Sequence, residues 1–167
     1  MTKRQQCEKL YKDAFGDSGE FDTMLFDLFF DNIETLQNGN TIVAMYFKIP
    51  CVVNINGVKK SAYYIYAVTT HKDYRHQGLM SKLFNDTITK SDTLYFLKPA
   101  SEGVIAFYRQ TGFKQIVGTR EICDAVIEVC DNFKKLSELC DKPQKSYPIM
   151  IKGIANIEKL TFEYTLE

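Results

Sequence analysis

Near the start of the chain, apolar residues recur at intervals of three and four. Cys7, Leu10, Tyr11, Ala14 and Phe15 fall on one stripe. Phe21, Met24, Leu25, Leu28 and Phe29 fall on a second, with Phe26 and Phe30 added to it. That spacing predicts two amphipathic helices. The period then changes. Asn38-Gly39 predicts a hairpin turn, since both residue types accept positive φ. From Thr41 to Ile49, Val43, Met45, Phe47 and Ile49 alternate against a second face, the two-residue period of a strand. Asn56-Gly57 predicts another hairpin, leading into Tyr63–Val68, an aromatic and β-branched run that reads as a buried strand.

Helical spacing returns at Leu79, Leu83, Phe84 and Ile88. Thr93 to Leu97 reads as a short apolar strand that Pro99 stops. Val104, Phe107, Tyr108 and Thr111 then share one face of a further helix. Ser101 is its expected N-cap, with Glu102 in the first turn and Gly112 at the end. Lys114 to Gly118 is expected to be a strand. Phe133, Leu136, Leu139 and Cys140 mark a short helix, and Ile157 to Leu166 a closing strand. The order is two helices, an antiparallel meander, then strand–helix–strand–helix–strand. It predicts a mixed α/β domain spanning residues 1–167, with no repeat, low-complexity tract or linker.

Composition narrows the partners. Lys+Arg and Asp+Glu both number 21, so no strong field selects nucleic acid or an anionic membrane. The N-terminal stretch lacks an apolar run of signal-peptide length, and no segment has the length and apolarity to cross a bilayer, so a cytoplasmic location is expected. Cys7, Cys51, Cys123, Cys130 and Cys140 lack metal-ligand or Cys-x-x-Cys spacing, and reduced thiols are expected. With only His71 and His76, no histidine-rich metal site is expected.

The candidate chemistry lies where the Tyr63–Val68 strand runs through Arg75-His76-Gln77-Gly78 into a helix. This order aims backbone N–H groups and the positive end of a helix at one point, which favours a phosphate or pyrophosphate. Gly78 lets the backbone approach the ligand, and Arg75 adds charge-assisted hydrogen bonds. A strand–loop–helix unit also uses Gly and Arg for turn geometry and solubility, so this loop alone does not decide the matter. The chain has no Gly-x-x-x-x-Gly-Lys-Ser/Thr loop and no Gly-x-Gly-x-x-Gly.

A second motif follows in order. Arg75-x-x-Gly78-x-Met80 is succeeded by Tyr108-Arg-Gln-Thr-Gly112-Phe113. In this pair the chain resembles the GNAT superfamily of acyl-CoA-dependent N-acyltransferases, whose pyrophosphate loop reads Arg/Gln-x-x-Gly-x-Gly/Ala. The likeness runs from about residue 40 to 117. The wording around Tyr66–Leu83 and Leu97–Glu102 is similar to bacterial acetyltransferases related to the enhanced-intracellular-survival type. Many of those carry a second, sterol-carrier-like domain, for which no room is expected here. The resemblance implies the GNAT fold: a mixed, mostly antiparallel central sheet with a splayed parallel strand pair, flanked by helices. It implies acetyl-CoA as cofactor and a small-molecule or peptide amine as acceptor, attacked directly. Pantetheine amides would pair with Val68, Thr69 and Thr70, and pyrophosphate would meet the N–H groups of Arg75, His76, Gln77, Gly78, Leu79, Met80 and Ser81. Tyr108 stands where many relatives place the acid that protonates the departing thiolate, and a phenol is protonated at neutral pH. The alternative is a core aromatic. Dimerisation is common among relatives, so a homodimer is an expectation.

Three departures accompany the likeness. Met80 replaces Gly or Ala, and either crowds the pyrophosphate or points into the core. Thr70 and Lys72 replace a common Val and Pro. Ser101 replaces an Asn at the second helix, where its hydroxyl can still reach the cofactor. No acid lies between Gly57 and Asp73, where some relatives carry a Glu. The base is therefore open among a water relay, Glu34 and Glu167. Two function classes follow: an N-acetyltransferase, or a non-catalytic acyl-CoA-binding sensor or interaction module.

Overall fold

Helix α1 (Lys3–Phe15) is entered through Thr2, whose hydroxyl accepts from the Gln5 N–H while the Gln5 side chain accepts from the Thr2 N–H. This reciprocal capping satisfies two helix-end donors. The computed structural model describes residues 1–16, 19–89, 92–116, 125–139 and 149–154, together with the backbone of 162–164. The chain falls into two compact units, Met1–Lys48 with Ile65–Thr89, and Ile49–Tyr64 with Lys90–Glu167. Strands β2 (Thr41–Ile55) and β3 (Val58–Thr70) each run from one unit into the other.

In the first unit, α1 and α2 (Glu20–Phe29) are followed by β1 (Ile33–Asn38), antiparallel to the first part of β2. Helix α3 (Leu79–Thr87) follows β3. The central strand β2 has apolar side chains on both faces. On one, Phe47 meets Tyr11 and Phe26 edge-on, at 6.4 and 5.3 Å between centroids. On the other, Tyr46 meets Phe84 of α3 at 5.2 Å. Alternation sends neighbouring residues to opposite sides, so one strand anchors helices on both. The two predicted opening helices are present, with shifted stripes. Cys7, Leu10 and Tyr11 are buried, while Ala14 and Phe15 face solvent at the helix end. Phe21, Leu25, Phe26 and Phe29 are core, whereas Met24, Leu28 and Phe30 are half-buried.

In the second unit the strand order is β5-β7-β4-β3-β2-β6-β8. Strand β4 (Leu94–Leu97) pairs parallel with β3, Ala62–Tyr64 against Leu94–Phe96. Strand β7 (Met150–Lys152) is antiparallel to both β4 and β5 (Lys114–Gln115). On the other side β2 pairs antiparallel with β6 (Ala125–Val129), and β6 pairs parallel with β8 (Phe162–Tyr164). Helix α5 (Asp131–Ser137) brings Phe133 edge-on to Tyr64, which stacks on Phe96 at 5.1 Å. Helix α4 spans Ile105–Gln110.

Asn56 and Gly57 both take positive φ and join β2 to β3, as the sequence predicts. The first hairpin turns one residue later than expected, at Gly39-Asn40, because Asn38 pairs with Thr41 as the last residue of β1. Ser101 precedes a single 3-10 turn, Glu102–Val104, and its side chain makes no capping hydrogen bond; α4 begins only at Ile105. Gly118, Cys123, Cys140 and Glu167 lie outside the described residues, as does most of the expected closing strand, of which β8 is the described part. Strands β6 and β7 were not anticipated. Cys7 and Cys51 are buried thiols, pushed by burial up to about 11 and about 12. Among the described residues, no helix is long and apolar enough to cross a membrane.

Gly153 follows β7 at φ +122°, and a Cβ there would lie 1.9 Å from the Thr93 carbonyl oxygen. Backbone on both sides leaves no room to yield. Gly153→Ala is expected to lower unfolding free energy by about 3 kcal/mol, read from the urea midpoint. A shift under a third of that removes the close approach as a constraint.

Candidate functional site

Near its end, β3 departs from regular strand geometry. Ala67 takes φ 52°, a left-handed conformation that costs a non-glycine residue about 1–2 kcal/mol. Past it, the His71 N–H donates to the Val43 carbonyl at 2.8 Å, tying the strand's end to β2. In an antiparallel ladder alternate residues turn both backbone groups toward the partner. Thr69 therefore faces β2, and Val68 and Thr70 present their N–H and C=O groups along the opposite edge. The register with β4 covers Ala62–Tyr64, and β3 continues beyond it to Thr70. Of the three residues expected to meet pantetheine, Val68 and Thr70 lie on that edge, and the Thr70 carbonyl accepts from Arg75 Nε.

The loop from His71 to Gly78 is braced by its own side chains. His71 Nδ1 accepts from the Asp73 N–H at 3.3 Å, Arg75 Nε donates to the Thr70 carbonyl at 3.2 Å, and Gln77 Nε2 donates to the Asp73 carbonyl at 3.4 Å. Arg75 thus uses one of its five donors on the strand end. His76 and Gly78 take φ of 61° and 71°. Two left-handed residues so close together curl the chain directly into α3, with Gly78 at the N-cap. The Lys82 N–H bonds to the Gly78 carbonyl at 3.0 Å, so the N–H groups of Leu79, Met80 and Ser81 are those left at the helix start. A Cβ on Gly78 would meet nothing within 4 Å, so the space beside the N-cap is open. A diphosphate fits such a cradle, and Arg75 to Ser81 are the residues that would hold it. Met80 is 7% exposed and shares the buried face of α3 with Leu83 and Phe84, which resolves its side chain into the core.

The far end of α3 is closed by a separate network. Lys48 Nζ donates to the Thr87 carbonyl at 3.2 Å and to Glu34 Oε1 at 3.3 Å, and the Tyr46 hydroxyl bonds Thr87 Oγ1. A cation at a helix C-terminus complements its dipole. Glu34 is thereby engaged at the end of α3 opposite Gly78. A cavity of about 710 Å³ beside α1 includes Gln6, Lys9 and His71 in its lining. Gln6 already accepts from the Ile42 N–H, Lys9 pairs with Asp13, and His71 Nδ1 is engaged as above.

Ser101 and Tyr108 belong to the second unit. Tyr108 is 8% exposed on α4, edge-on to Phe107 and Phe113. Burial alone pushes its phenol up to about 12, so the group is a proton donor throughout the neutral range. Its backbone carbonyl accepts from the Phe113 N–H at 3.0 Å and from Thr111 Oγ1 at 2.9 Å. The feature that sequence reasoning missed is Ala67, because alanine in an apolar run carries no signal for positive φ.

A sequence model of the GNAT acetyltransferase domain matches residues 2–116. No curated protein matches the chain. Among solved structures, a GCN5-related N-acetyltransferase from Anabaena variabilis shares 18% identity at a TM-score of 0.56 over 67% of this chain and 29% of its own. Eis1 from Mycobacterium abscessus shares 13% at 0.52 over 71% and 32%. The chain thus spans about a third of the length of those two proteins. Arabidopsis thaliana Naa50, in complex with the bisubstrate analogue CoA-Ac-MVNAL, shares 14% at 0.56 over 89% and 91%. The architecture is that of the mixed α/β GNAT fold, its sheet mostly antiparallel and flanked by helices.

The strain at Ala67 gives a direct test. Ala67→Gly relieves about 1 kcal/mol of left-handed strain and loses a similar amount to chain entropy, so stability should stay within about 0.5 kcal/mol. Ala67→Val, β-branched at the same φ, should cost about 2 kcal/mol. Chemical denaturation reads both. Equal losses in the two variants would mean that Ala67 is not left-handed in solution.

Proposed function

The chain belongs to the GNAT acetyltransferase family, and from that premise we propose that it is an N-acetyltransferase carrying acetyl from acetyl-CoA to a primary amine of a small molecule or peptide. The observation that carries this reading is the Arg75–Ser81 loop, left-handed at His76 and Gly78, opening α3 directly after a strand edge of outward backbone groups. Acetyl-CoA, which acetyltransferases of this family use, supplies an acetyl thioester whose carbonyl carbon takes the amine and whose sulfur departs. The N–H groups of Arg75 to Ser81 hold its pyrophosphate, and Val68 and Thr70 align its amides; Ser101 is a further cofactor contact. Tyr108 keeps its proton on the phenol oxygen until the thiolate leaves, then donates to it. The amine's own proton passes to a base. The Glu34–Lys48 pair at the other end of α3 favours a water relay over Glu34 for that step.

The family match runs through both units, which supports reading residues 1–167 as one acetyltransferase domain. Membership of the branch related to enhanced-intracellular-survival acetyltransferases rests on the wording of Tyr66–Leu83 and Leu97–Glu102; the likeness to Eis1 is one of fold. A cytoplasmic, homodimeric enzyme completes the reading.

Turnover of acetyl-CoA against polyamines, aminoglycosides, amino acids and peptide N-termini, followed by thiol release, tests the activity and names the acceptor class. Tight CoA binding by calorimetry without turnover on any amine favours a non-catalytic acyl-CoA-binding module. Arg75→Glu with Gly78→Asp should abolish CoA binding, and retained binding would overturn the loop's role. Tyr108→Phe should lower kcat by about a hundredfold with CoA affinity unchanged. Because the folded phenol loses its proton only near pH 12, its donor role is present below that and lost above it. The rate should show no alkaline fall from Tyr108 up to about pH 10.

A further inference from the structure

We infer that Lys152 is a positioning residue for Tyr108, its ammonium tying the end of the short helix that carries the phenol to strand β7. The inference rests on the reading of Tyr108 as the acid. Helix α4 is six residues long and receives no side-chain cap at its start, so its orientation depends on how its C-terminal end is held. The Tyr108 carbonyl is taken by the Phe113 N–H and Thr111 Oγ1. The Thr111 carbonyl is taken in turn by Lys152 Nζ at 2.8 Å. Thr111 is 9% exposed, so a carbonyl deprived of that donor has little water to replace it.

Lys152 is itself firmly placed. Its backbone pairs with Tyr95 of β4, and Gly153 behind it has no room for a Cβ against the Thr93 carbonyl. Its methylene stem crosses Gly112, where an added Cβ would come within 3.4 Å of Lys152 Cε. The stem fills the space that the glycine leaves. Burial lowers the pKa of the ammonium, as for a cation held partly out of water. Tyr108 is thus joined to the sheet through Thr111 and Lys152. A phenol oxygen stands far from the helix axis, and a misplacement of about 1 Å costs on the order of a hundredfold in rate.

A double-mutant cycle decides whether Lys152 acts through Tyr108. Lys152→Met should lower kcat by about tenfold and leave the KM for acetyl-CoA within about twofold. Lys152→Arg, which keeps a cationic donor, should recover most of the loss. In the Tyr108→Phe background, Lys152→Met should cost less than about twofold further. If Lys152→Met does not fold, Lys152→Gln carries the same cycle. Losses that multiply, or wild-type turnover by Lys152→Met, overturn the inference and leave the role of Tyr108 standing. Wild-type turnover by Tyr108→Phe alone overturns that role, and the inference with it.

Discussion

Strands β2 and β3 set the terms for everything attached to them. A buried strand must pair its backbone groups, because an unpaired N–H or C=O out of water costs about as much as the hydrogen bond it lacks. Strand β2 meets that demand with β1 along its first part and β6 along its second. Strand β3 is paired with β4 through Ala62–Tyr64 and then runs on toward the phosphate cradle. Beyond Ala67 the Thr70 carbonyl is taken by Arg75 Nε, and the other outward backbone groups can face water or meet an extended ligand. A chain of amides answers that need in the same way a neighbouring strand would, so an edge open to such a ligand follows from where pairing stops.

The cradle is equally a product of local geometry. His71, Arg75 and Gln77 spend side-chain hydrogen bonds on the backbone of the loop and of the strand end before it, and His76 and Gly78 bend the chain into α3. Lys48 and Thr87 secure the helix at its other end. The N–H groups are therefore aimed before any ligand arrives, and less ordering remains to oppose binding.

Much of this was legible in the residues. Leu10 and Tyr11, or Leu25 and Phe29, announce helices because burial repeats with the helical turn. Asn56-Gly57 announces a hairpin because both residues take positive φ. Arg75-x-x-Gly78 and Tyr108 stood out as chemistry at characteristic spacing. The residues are silent where tertiary pairing overrides short-range pattern. Strand β7 is three residues, too short for alternation to register, and it exists because β4 and β5 flank it. Strand β6 alternates over only five residues, too few to stand out from the chain around it. The 3-10 turn before α4 displaced the expected cap at Ser101, and Lys152, polar and distant in sequence, gave no sign that it would reach Thr111.

The buried thiols of Cys7 and Cys51 bear on how long the protein survives chemically. Peroxide attacks the thiolate, and raising a thiol from about 9 to about 11 or 12 makes that species rarer by a hundredfold or more. Both sulfur atoms then behave as small apolar groups. The first unit's core around Cys7, and the seam between β2 and β6 at Cys51, are thus guarded against oxidative ageing by the same exclusion of water that holds them together.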